Sequence, residues 1–342
     1  MTGSETWTFG LLALLAALIC AGLIVVLQPL LARYALARPN ARSSHRVPTP
    51  QGGGIAVMAA LVVVVAGAAL FAPEFVSVPK ALGVILIAAC GLAAVGVTDD
   101  IRPLEAMPRL ILQAVAVAVV IAVLPAELRI FPALPWWAER ALLLIGGVWF
   151  VNLVNFMDGI DWITVAEIVP ISAALSAFGL LGALPPGATL VSFVLCGAVL
   201  GFAPFNRPVA RLFLGDVGSL PIGLLVAWLL AMLAGGGHLT AALLLPLYYV
   251  ADATITVLRR LAKGEQITQA HRSHFYQHAI DNGLSVHQVV GSVFALNLIL
   301  IALSLATLFA EQSYVLHGAL LTAGVACVAV VLLAFARVTN KS

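Results

Sequence analysis

Long apolar runs, separated by short polar segments, dominate this chain of 342 residues. A helix of about 20 apolar residues crosses roughly 30 Å of hydrocarbon, and runs of about that length recur along the whole chain. The pattern predicts eleven membrane-spanning helices and one domain over residues 1–342. The predicted spans cover approximately 8–28, 52–71, 80–98, 109–125, 139–156, 164–182, 189–204, 217–234, 239–258, 288–310 and 315–337. The fold class is therefore all-α, and the protein is polytopic.

Composition supports a lipid environment. Hydrophobic residues make up 62% of the chain, charged residues only 9%, and the mean hydropathy is +1.10. These values exclude an ordinary soluble domain.

The basic residues of the loops predict the orientation. Eleven spans assign the loops alternately to two sides, with fourteen Lys and Arg on one side and only Lys80, Arg129 and Arg140 on the other. Positive charge marks the cytoplasmic side of short loops. The N-terminus is therefore expected outside and the C-terminus inside.

Acidic side chains collect at the ends of the apolar runs. A carboxylate at the edge of hydrocarbon is costly and needs a metal, a cation or a substrate as its partner. All of these side chains fall on the predicted cytoplasmic side, which indicates one reaction centre. The polar motifs concerned are Asp99-Asp100, Asn155 with Asp158 and Asp161, and Gly215-Asp216.

Each acidic motif has a chemical and a structural interpretation. Asp99 and Asp100 repel each other at a helix end, which suits Mg²⁺, unless Arg102 neutralises a solvated turn. Asp216 begins a helix and either holds a metal that a diphosphate shares or caps that helix.

The third motif has three polar residues at intervals of three. On a helical end, Asn155, Asp158 and Asp161 would share one face. An Asn there can fix a carboxylate or a ligand hydroxyl, and Gly159 permits close approach of a neighbour.

Three basic segments provide candidate phosphate contacts. Arg42 and Arg46 precede a Gly-rich turn that starts a helix, an arrangement that suits a phosphate or an ordinary positive-inside loop. Arg109 is either a membrane anchor or a phosphate ligand. A helix would present His271, His274 and His278 on one face, as a basic surface for phosphate or nucleotide, a zinc site or a solvated face. Asp252 is expected to pair with one of these bases.

Taken together, the motifs resemble those of the bacterial polyprenyl-phosphate N-acetylhexosamine-1-phosphate transferases, a superfamily that includes the undecaprenyl-phosphate GlcNAc-1-phosphate transferases and the phospho-N-acetylmuramoyl-pentapeptide transferases. In the order of that family, the chain carries Pro-Thr-Pro-Gln-Gly-Gly-Gly, Asp99-Asp100, the segment from Asn155 to Asp161, Phe205-Asn206, Leu214-Gly215-Asp216-Val-Gly218-Ser219 and the histidine loop. The resemblance implies that a lipid phosphate attacks the β-phosphorus of a UDP-HexNAc and releases UMP. It also implies Mg²⁺ as cofactor, with Mn²⁺ as an alternative.

The resemblance also implies residue roles and locations. The implied active-site loops are 29–51, 99–108, 155–163, 205–216 and 259–287. The implied catalytic residues are Asp99, Asp100, Asp158, Asp161, His271 and His274. The implied substrate-binding residues are Arg42, Arg46, Arg109, Asn155, Asn206 and Arg272, and the implied metal ligands are Asp216 and Asp100. Expected partners are undecaprenyl phosphate, a UDP-HexNAc and the lipid bilayer, without nucleic acid; a homodimer is an open alternative.

Two departures bear on the substrate. Trp162 stands where many relatives have Gly, and the histidine loop reads His-Arg-Ser-His, not a triple-His run. The loop favours the branch that starts O-antigen or other surface polysaccharides, with GlcNAc or a 6-deoxy-HexNAc such as FucNAc or QuiNAc as donor. A phospho-N-acetylmuramoyl-pentapeptide transferase is the alternative enzyme, and a lipid or solute transporter is a further alternative. The expected location is the bacterial inner membrane, with the site facing the cytoplasm.

Overall fold

The computed structural model describes residues 3–37, 48–76, 79–266, 271–310 and 313–337. Helices dominate this part of the chain, which confirms the all-α prediction. The helices are α1 (Gly3–Tyr34), α2 (Gly53–Phe71), α3 (Pro79–Ile101), α4 (Ala106–Ala122), α5 (Trp136–Met157), α6 (Ile163–Leu180), α7 (Pro186–Phe202), α8 (Asp216–Leu233), α9 (Leu239–Leu244), α10 (Leu247–Ala262), α11 (Phe275–Asp281), α12 (Val286–Ala306) and α13 (Tyr314–Ala336). A short antiparallel pair joins β1 (Leu36–Ala37) to β2 (Thr49–Pro50).

The apolar runs correspond to the helices. Within the described ranges, eight helical segments are long and apolar enough to cross a membrane, and α4 and α7 are shorter apolar helices. The protein is therefore a multi-pass membrane protein, while the count of eleven crossings and the orientation stay predictions. The ninth predicted span, 239–258, is not one helix. It divides into α9 and α10 at Pro246, whose ring nitrogen has no N–H to donate.

Glycines bring the helices that carry the acidic motifs into backbone contact. A Cβ at Gly96 of α3 would lie 2.3 Å from backbone atoms of Asp216 and Val217, at the start of α8. A Cβ at Gly54 of α2 would lie 2.2 Å from the Cα of Gly218. Small residues allow this close approach between helices in membranes. Helices α2 and α3 therefore meet the first turn of α8, and the end of α3 lies against Asp216.

Candidate active site

Asp100 caps the start of α8. Its Oδ1 accepts a hydrogen bond from the backbone N–H of Asp216 at 3.0 Å, and its Oδ2 accepts one from that of Val217 at 3.2 Å. These N–H groups belong to the first helical turn and have no partner within the helix. Gly215 lies at φ 75°, and a Cβ there would be 2.6 Å from Asp100 Oδ2. The interpretation of Asp216 as the cap of its own helix is therefore wrong, because Asp100 provides that cap from α3.

Asp99, Arg109 and Asp216 converge beside this cap. Arg109 Nη1 lies 2.7 Å from Asp99 Oδ2 and 3.8 Å from Asp216 Oδ2. The carboxyl groups of Asp99 and Asp216 are also within hydrogen-bonding range of each other. The backbone N–H of Leu104 donates to Asp99 Oδ1 at 2.6 Å. The carboxylates of Asp99 and Asp216 thus share one cation, Arg109.

Asn155 connects α5 to this cluster. Its amide Nδ2 donates to Asp216 Oδ1 at 2.7 Å and lies 2.9 Å from the Ser219 hydroxyl oxygen. The prediction that this Asn fixes a carboxylate is confirmed. Ser219 belongs to the Gly215-Asp216 motif, but the sequence alone does not predict its contact with Asn155, 64 residues away along the chain.

The expectation that Asn155, Asp158 and Asp161 share one helical face is wrong, because α5 ends at Met157. The side chain of Asp158 accepts a hydrogen bond from the Thr164 hydroxyl. Burial raises the pKa of Asp158 to about 6, and the negative charges of Asp100 and Asp161 add to the increase. The Asp158 carboxyl group is therefore close enough to that of Asp100 for their charges to interact, although the two residues lie on different segments.

Asp161 and Asn206 fasten the segment that precedes α8. Asp161 Oδ2 accepts a hydrogen bond from the backbone N–H of Ala210 at 2.9 Å. Asn206 is buried, and both the oxygen and the nitrogen of its side-chain amide form hydrogen bonds within the protein. Its Oδ1 accepts from the N–H of Trp162 at 2.8 Å, and its Nδ2 donates to the carbonyl of Leu212 at 3.0 Å. Both side chains thus hold the loop before Asp216.

Trp162 adopts a left-handed backbone conformation, with φ 63°. This region is costly for a residue with a Cβ and is open to Gly. The indole Nε1 of Trp162 donates to the carbonyl of Ala203 at 2.6 Å. The ring thus connects the third acidic motif to the end of α7.

The histidine loop does not form the predicted single face. Helix α11 begins at Phe275, so His271 and His274 precede it, while His278 is exposed on the helix. His274 is buried, its ring stacks on that of His271 with centroids 5.0 Å apart, and its Nδ1 lies 3.1 Å from Asp252 Oδ1. The prediction that Asp252 pairs with one of these bases is confirmed.

The start of α11 contacts the third acidic motif. The Tyr276 hydroxyl donates to the carbonyl of Phe156 at 3.2 Å, and a Cβ at Gly159 would lie only 2.0 Å from that hydroxyl. The prediction that Gly159 permits a close approach is confirmed. Arg272, in the segment before α11, forms a salt bridge with Asp281, with 3.0 Å between Nη2 and Oδ1.

Arg42 and Arg46 lie outside the described residues. In the part of the chain that is described, no group of three or more His, Cys, Asp or Glu side chains is arranged to hold a metal ion. Mg²⁺ requires less from the protein, because it binds through one or two carboxylates and completes its shell with phosphate oxygens and water. The adjacent carboxylates of Asp99 and Asp216 match that requirement.

Comparison with known proteins identifies related sequences. Residues 82–234 match the model of glycosyl transferase family 4. The chain is 27% identical to the decaprenyl-phosphate N-acetylglucosaminephosphotransferase of Mycobacterium tuberculosis (strain ATCC 25618 / H37Rv), over 85% of this chain and 81% of the relative.

Two further relatives are also named as transferases. The probable undecaprenyl-phosphate N-acetylglucosaminyl 1-phosphate transferase of Bacillus subtilis (strain 168) is 24% identical over 81% of this chain and 82% of its own length. The phospho-N-acetylmuramoyl-pentapeptide-transferase of Synechococcus sp. (strain JA-3-3Ab) is 31% identical over 49% of this chain and 48% of its own length. The region that matches glycosyl transferase family 4, residues 82–234, carries the Asp99, Asn155 and Asp216 motifs.

Proposed function

We propose that the protein transfers a HexNAc-1-phosphate from a UDP-HexNAc to undecaprenyl phosphate, releases UMP and so initiates O-antigen or another surface polysaccharide. The observation that carries the proposal is the convergence of Asp99, Arg109, Asn155 and Asp216 at one end of a bundle of apolar helices. The relatives that align over most of the chain are named as polyprenyl-phosphate N-acetylglucosamine phosphotransferases, which supports the same chemistry.

The cluster suits phosphoryl transfer because that reaction depends mainly on positioning and on charge neutralisation. Asp99 and Asp216 would hold Mg²⁺, with Mn²⁺ as an alternative. The bound ion would neutralise charge on the diphosphate. Asp100 is committed through both oxygens to the amides of α8, so its contribution is to keep Asp216 in place.

The protein groups have separate tasks in the proposed reaction. Asp99 orients the lipid phosphate or takes its proton, and Arg109 binds phosphate oxygens. A lipid phosphate oxygen attacks the β-phosphorus directly, the bond between that phosphorus and the oxygen bridging to the α-phosphorus breaks, and UMP leaves. Asn155 holds Asp216 during this exchange. His271 and Arg272 provide positive charge or hydrogen-bond donors for the anionic donor substrate.

An apolar cavity offers a place for the start of the lipid chain. It has a volume of about 280 Å³ and lies between α4, α5, α8, α9 and the loop that joins α4 to α5, with Val117, Gly146, Phe150 and Trp228 among its lining residues. Phe150 is five residues before Asn155 on α5, a distance of roughly 7.5 Å along the helix axis. We assign the first isoprene units of undecaprenyl phosphate to this cavity, with the rest of the chain in the bilayer.

The proposed location is the bacterial inner membrane, with the site on the cytoplasmic face. The distribution of basic residues between the loops supports this orientation. The site would then meet a cytoplasmic UDP-sugar and a lipid phosphate from the same leaflet. The peptidoglycan alternative takes its support from the pentapeptide-transferase relative that aligns with half of the chain.

A donor panel tests the proposal. Purified protein is incubated with undecaprenyl phosphate, Mg²⁺ and UDP-GlcNAc, a UDP-6-deoxy-HexNAc or UDP-MurNAc-pentapeptide, and UMP is measured. We expect UMP from a HexNAc donor and its near-complete loss in Asp216→Asn. Glu74→Gln is the matched control, because it also changes a carboxylate to an amide, at an exposed residue between α2 and α3. If folded wild-type protein releases no UMP from any donor, the proposed function is wrong; release from the pentapeptide donor alone supports the alternative.

A further inference from the structure

We propose that Asp252 is a positioning residue that holds the histidine loop against the donor diphosphate. It acts through His274 and through the first turn of α11, and it does not touch the substrate itself. The inference rests on the proposed function, since it assigns a task within that reaction. Asp252 belongs to none of the acidic motifs described above and lies on α10, beyond the region 82–234.

The Asp252 carboxylate is fully buried and joins two separate parts of the chain. Its Oδ1 lies 3.1 Å from His274 Nδ1 and accepts a hydrogen bond from the Phe275 N–H at 3.1 Å. Its Oδ2 accepts one from the Tyr276 N–H at 3.2 Å. The two backbone donors are in the first turn of α11, where N–H groups have no partner within the helix. One carboxylate thus fixes both the helix start and the imidazole that precedes it.

The carboxylate is itself held in place from within α10. The hydroxyl groups of Tyr248 and Thr256, four residues before and after Asp252, each donate to it at 3.3 Å. These positions are neighbours on one helix face. With three further donors from the histidine loop, both oxygens have several partners and little freedom to move. A rigid acceptor of this kind can define the orientation of the ring that it contacts.

The contact also determines which nitrogen of His274 carries a proton. An ionised carboxylate accepts hydrogen bonds and donates none, so His274 Nδ1 must carry the hydrogen. The Nε2 atom is then left for interactions away from Asp252. His274 is only 2% exposed, whereas its stacking partner His271 is partly accessible. Asp252 therefore fixes the orientation of the His274 ring. The His274 ring in turn stacks on the ring of His271, which is partly exposed at the surface.

The same arrangement connects the loop to the acidic site. Tyr276, whose N–H is held by Asp252, donates its hydroxyl to the carbonyl of Phe156, two residues before Asp158. A shift of α11 would therefore move both the histidines and this contact. A carboxylate that only capped α11 would need the two backbone donors alone. The additional contact with the imidazole predicts a function in substrate binding as well as in folding.

The informative variant is Asp252→Asn, which keeps the shape of the side chain. The amide nitrogen replaces one acceptor oxygen and faces N–H groups that also donate, so it cannot hold the ring and the helix start together. Loss of a residue that orients a metal ligand typically costs about 10- to 100-fold, and we apply the same range to a residue that orients a substrate-binding histidine. We expect a loss of that size in kcat/KM for the UDP-sugar, with the KM for undecaprenyl phosphate unchanged.

A double-mutant cycle separates positioning from general destabilisation. UMP release is measured for Asp252→Asn, His274→Ala and the pair, with Glu74→Gln as the matched control at an exposed carboxylate between α2 and α3. If Asp252 acts mainly through His274, Asp252→Asn lowers kcat/KM by a smaller factor in the His274→Ala background than in the wild-type background. Independent losses that multiply in the double variant would contradict this.

A second variant and a second readout cover the case in which Asp252→Asn does not fold. Thr256→Val removes one hydroxyl donor to the carboxylate but keeps its charge, and should raise the KM for the UDP-sugar alone. In membranes without substrate, diethyl pyrocarbonate labelling read by mass spectrometry should modify His274 faster in Thr256→Val than in wild type.

The outcomes for the reaction and for Asp252 are distinct. If wild-type protein releases UMP while Asp252→Asn and Thr256→Val behave as wild type, the assignment to Asp252 is wrong and the proposed function stands. If folded wild type has no transferase activity, the proposed function fails and the role of Asp252 in it fails too. A selective loss in donor kinetics, with faster labelling of His274, supports the inference.

Discussion

Gly96→Ala should inactivate the protein although Gly96 carries no functional group. The Cβ of an Ala at this position would lie 2.3 Å from the carbonyl carbon and oxygen of Asp216 and from the N atom of Val217. Ordinary van der Waals contact begins at 3.4 Å, so α3 and α8 must separate by roughly 1 Å. Because the obstructing atoms are backbone atoms, no change of rotamer relieves the clash.

That separation acts directly on the site. The hydrogen bonds from the N–H groups of Asp216 and Val217 to Asp100 are 3.0 and 3.2 Å long, and a shift of about 1 Å breaks both. Each buried group left unsatisfied costs about 1–3 kcal/mol. A misplacement of about 1 Å at a catalytic centre can lower the rate by about 100-fold. We therefore expect UMP release by Gly96→Ala to fall by at least about 100-fold.

Gly91→Ala is the matched control on the same helix. A Cβ at Gly91 meets nothing within 4 Å, and replacing Gly by Ala inside a helix stabilises it by about 0.5–1 kcal/mol. Initial rates of UMP release and thermal unfolding in detergent are measured for both variants. Gly91→Ala should match wild type in rate. Wild-type activity in Gly96→Ala would refute the close contact between α3 and α8 on which the site depends.

Four further predictions concern other parts of the site. Asn155→Leu removes the donor to Asp216 and should lower UMP release by about 100-fold without preventing membrane insertion; wild-type rates would contradict its role. Gly159→Ala should displace the Tyr276 hydroxyl and lower activity, and adding Tyr276→Phe should restore part of it, as initial rates will show. Trp162→Gly relieves about 1 kcal/mol of backbone strain but loses the indole hydrogen bond and its packing, so we expect a lower melting temperature. Gly146→Leu should fill the apolar cavity and raise the KM for undecaprenyl phosphate but not for the UDP-sugar; equal KM values would exclude the cavity as the lipid site.

Much of the fold follows from hydropathy because a chain in lipid must satisfy its backbone hydrogen bonds internally. Each apolar run therefore appears as a helix, and only the run over 239–258 was misjudged as continuous. Pro246 marks the break, and the sequence contained that signal. Pro170 and Pro221 also lie within apolar runs, yet α6 and α8 continue through them. A proline alone therefore does not predict that a helix ends.

The residues of the site were easier to predict from the sequence than their arrangement in space. The cost of carboxylates beside hydrocarbon pointed to Asp99 and Asp216, which the structure brings together around Arg109. Periodicity failed for the third motif because it assumed a helix where α5 had already ended. The role of Asp100 as the cap of α8 could not be predicted from the sequence either, because its hydrogen-bond partners lie 116 and 117 residues away along the chain.

The most direct test of the proposed reaction follows the β-phosphorus of the donor. The protein is given a UDP-HexNAc labelled at the β-phosphorus, undecaprenyl phosphate and Mg²⁺, and the organic and aqueous phases are separated. Phospho-sugar transfer predicts that the label enters the lipid phase together with the sugar, while unlabelled UMP appears in water in equal amount. Label that stays in water as UDP while the sugar alone reaches the lipid would contradict the proposed function.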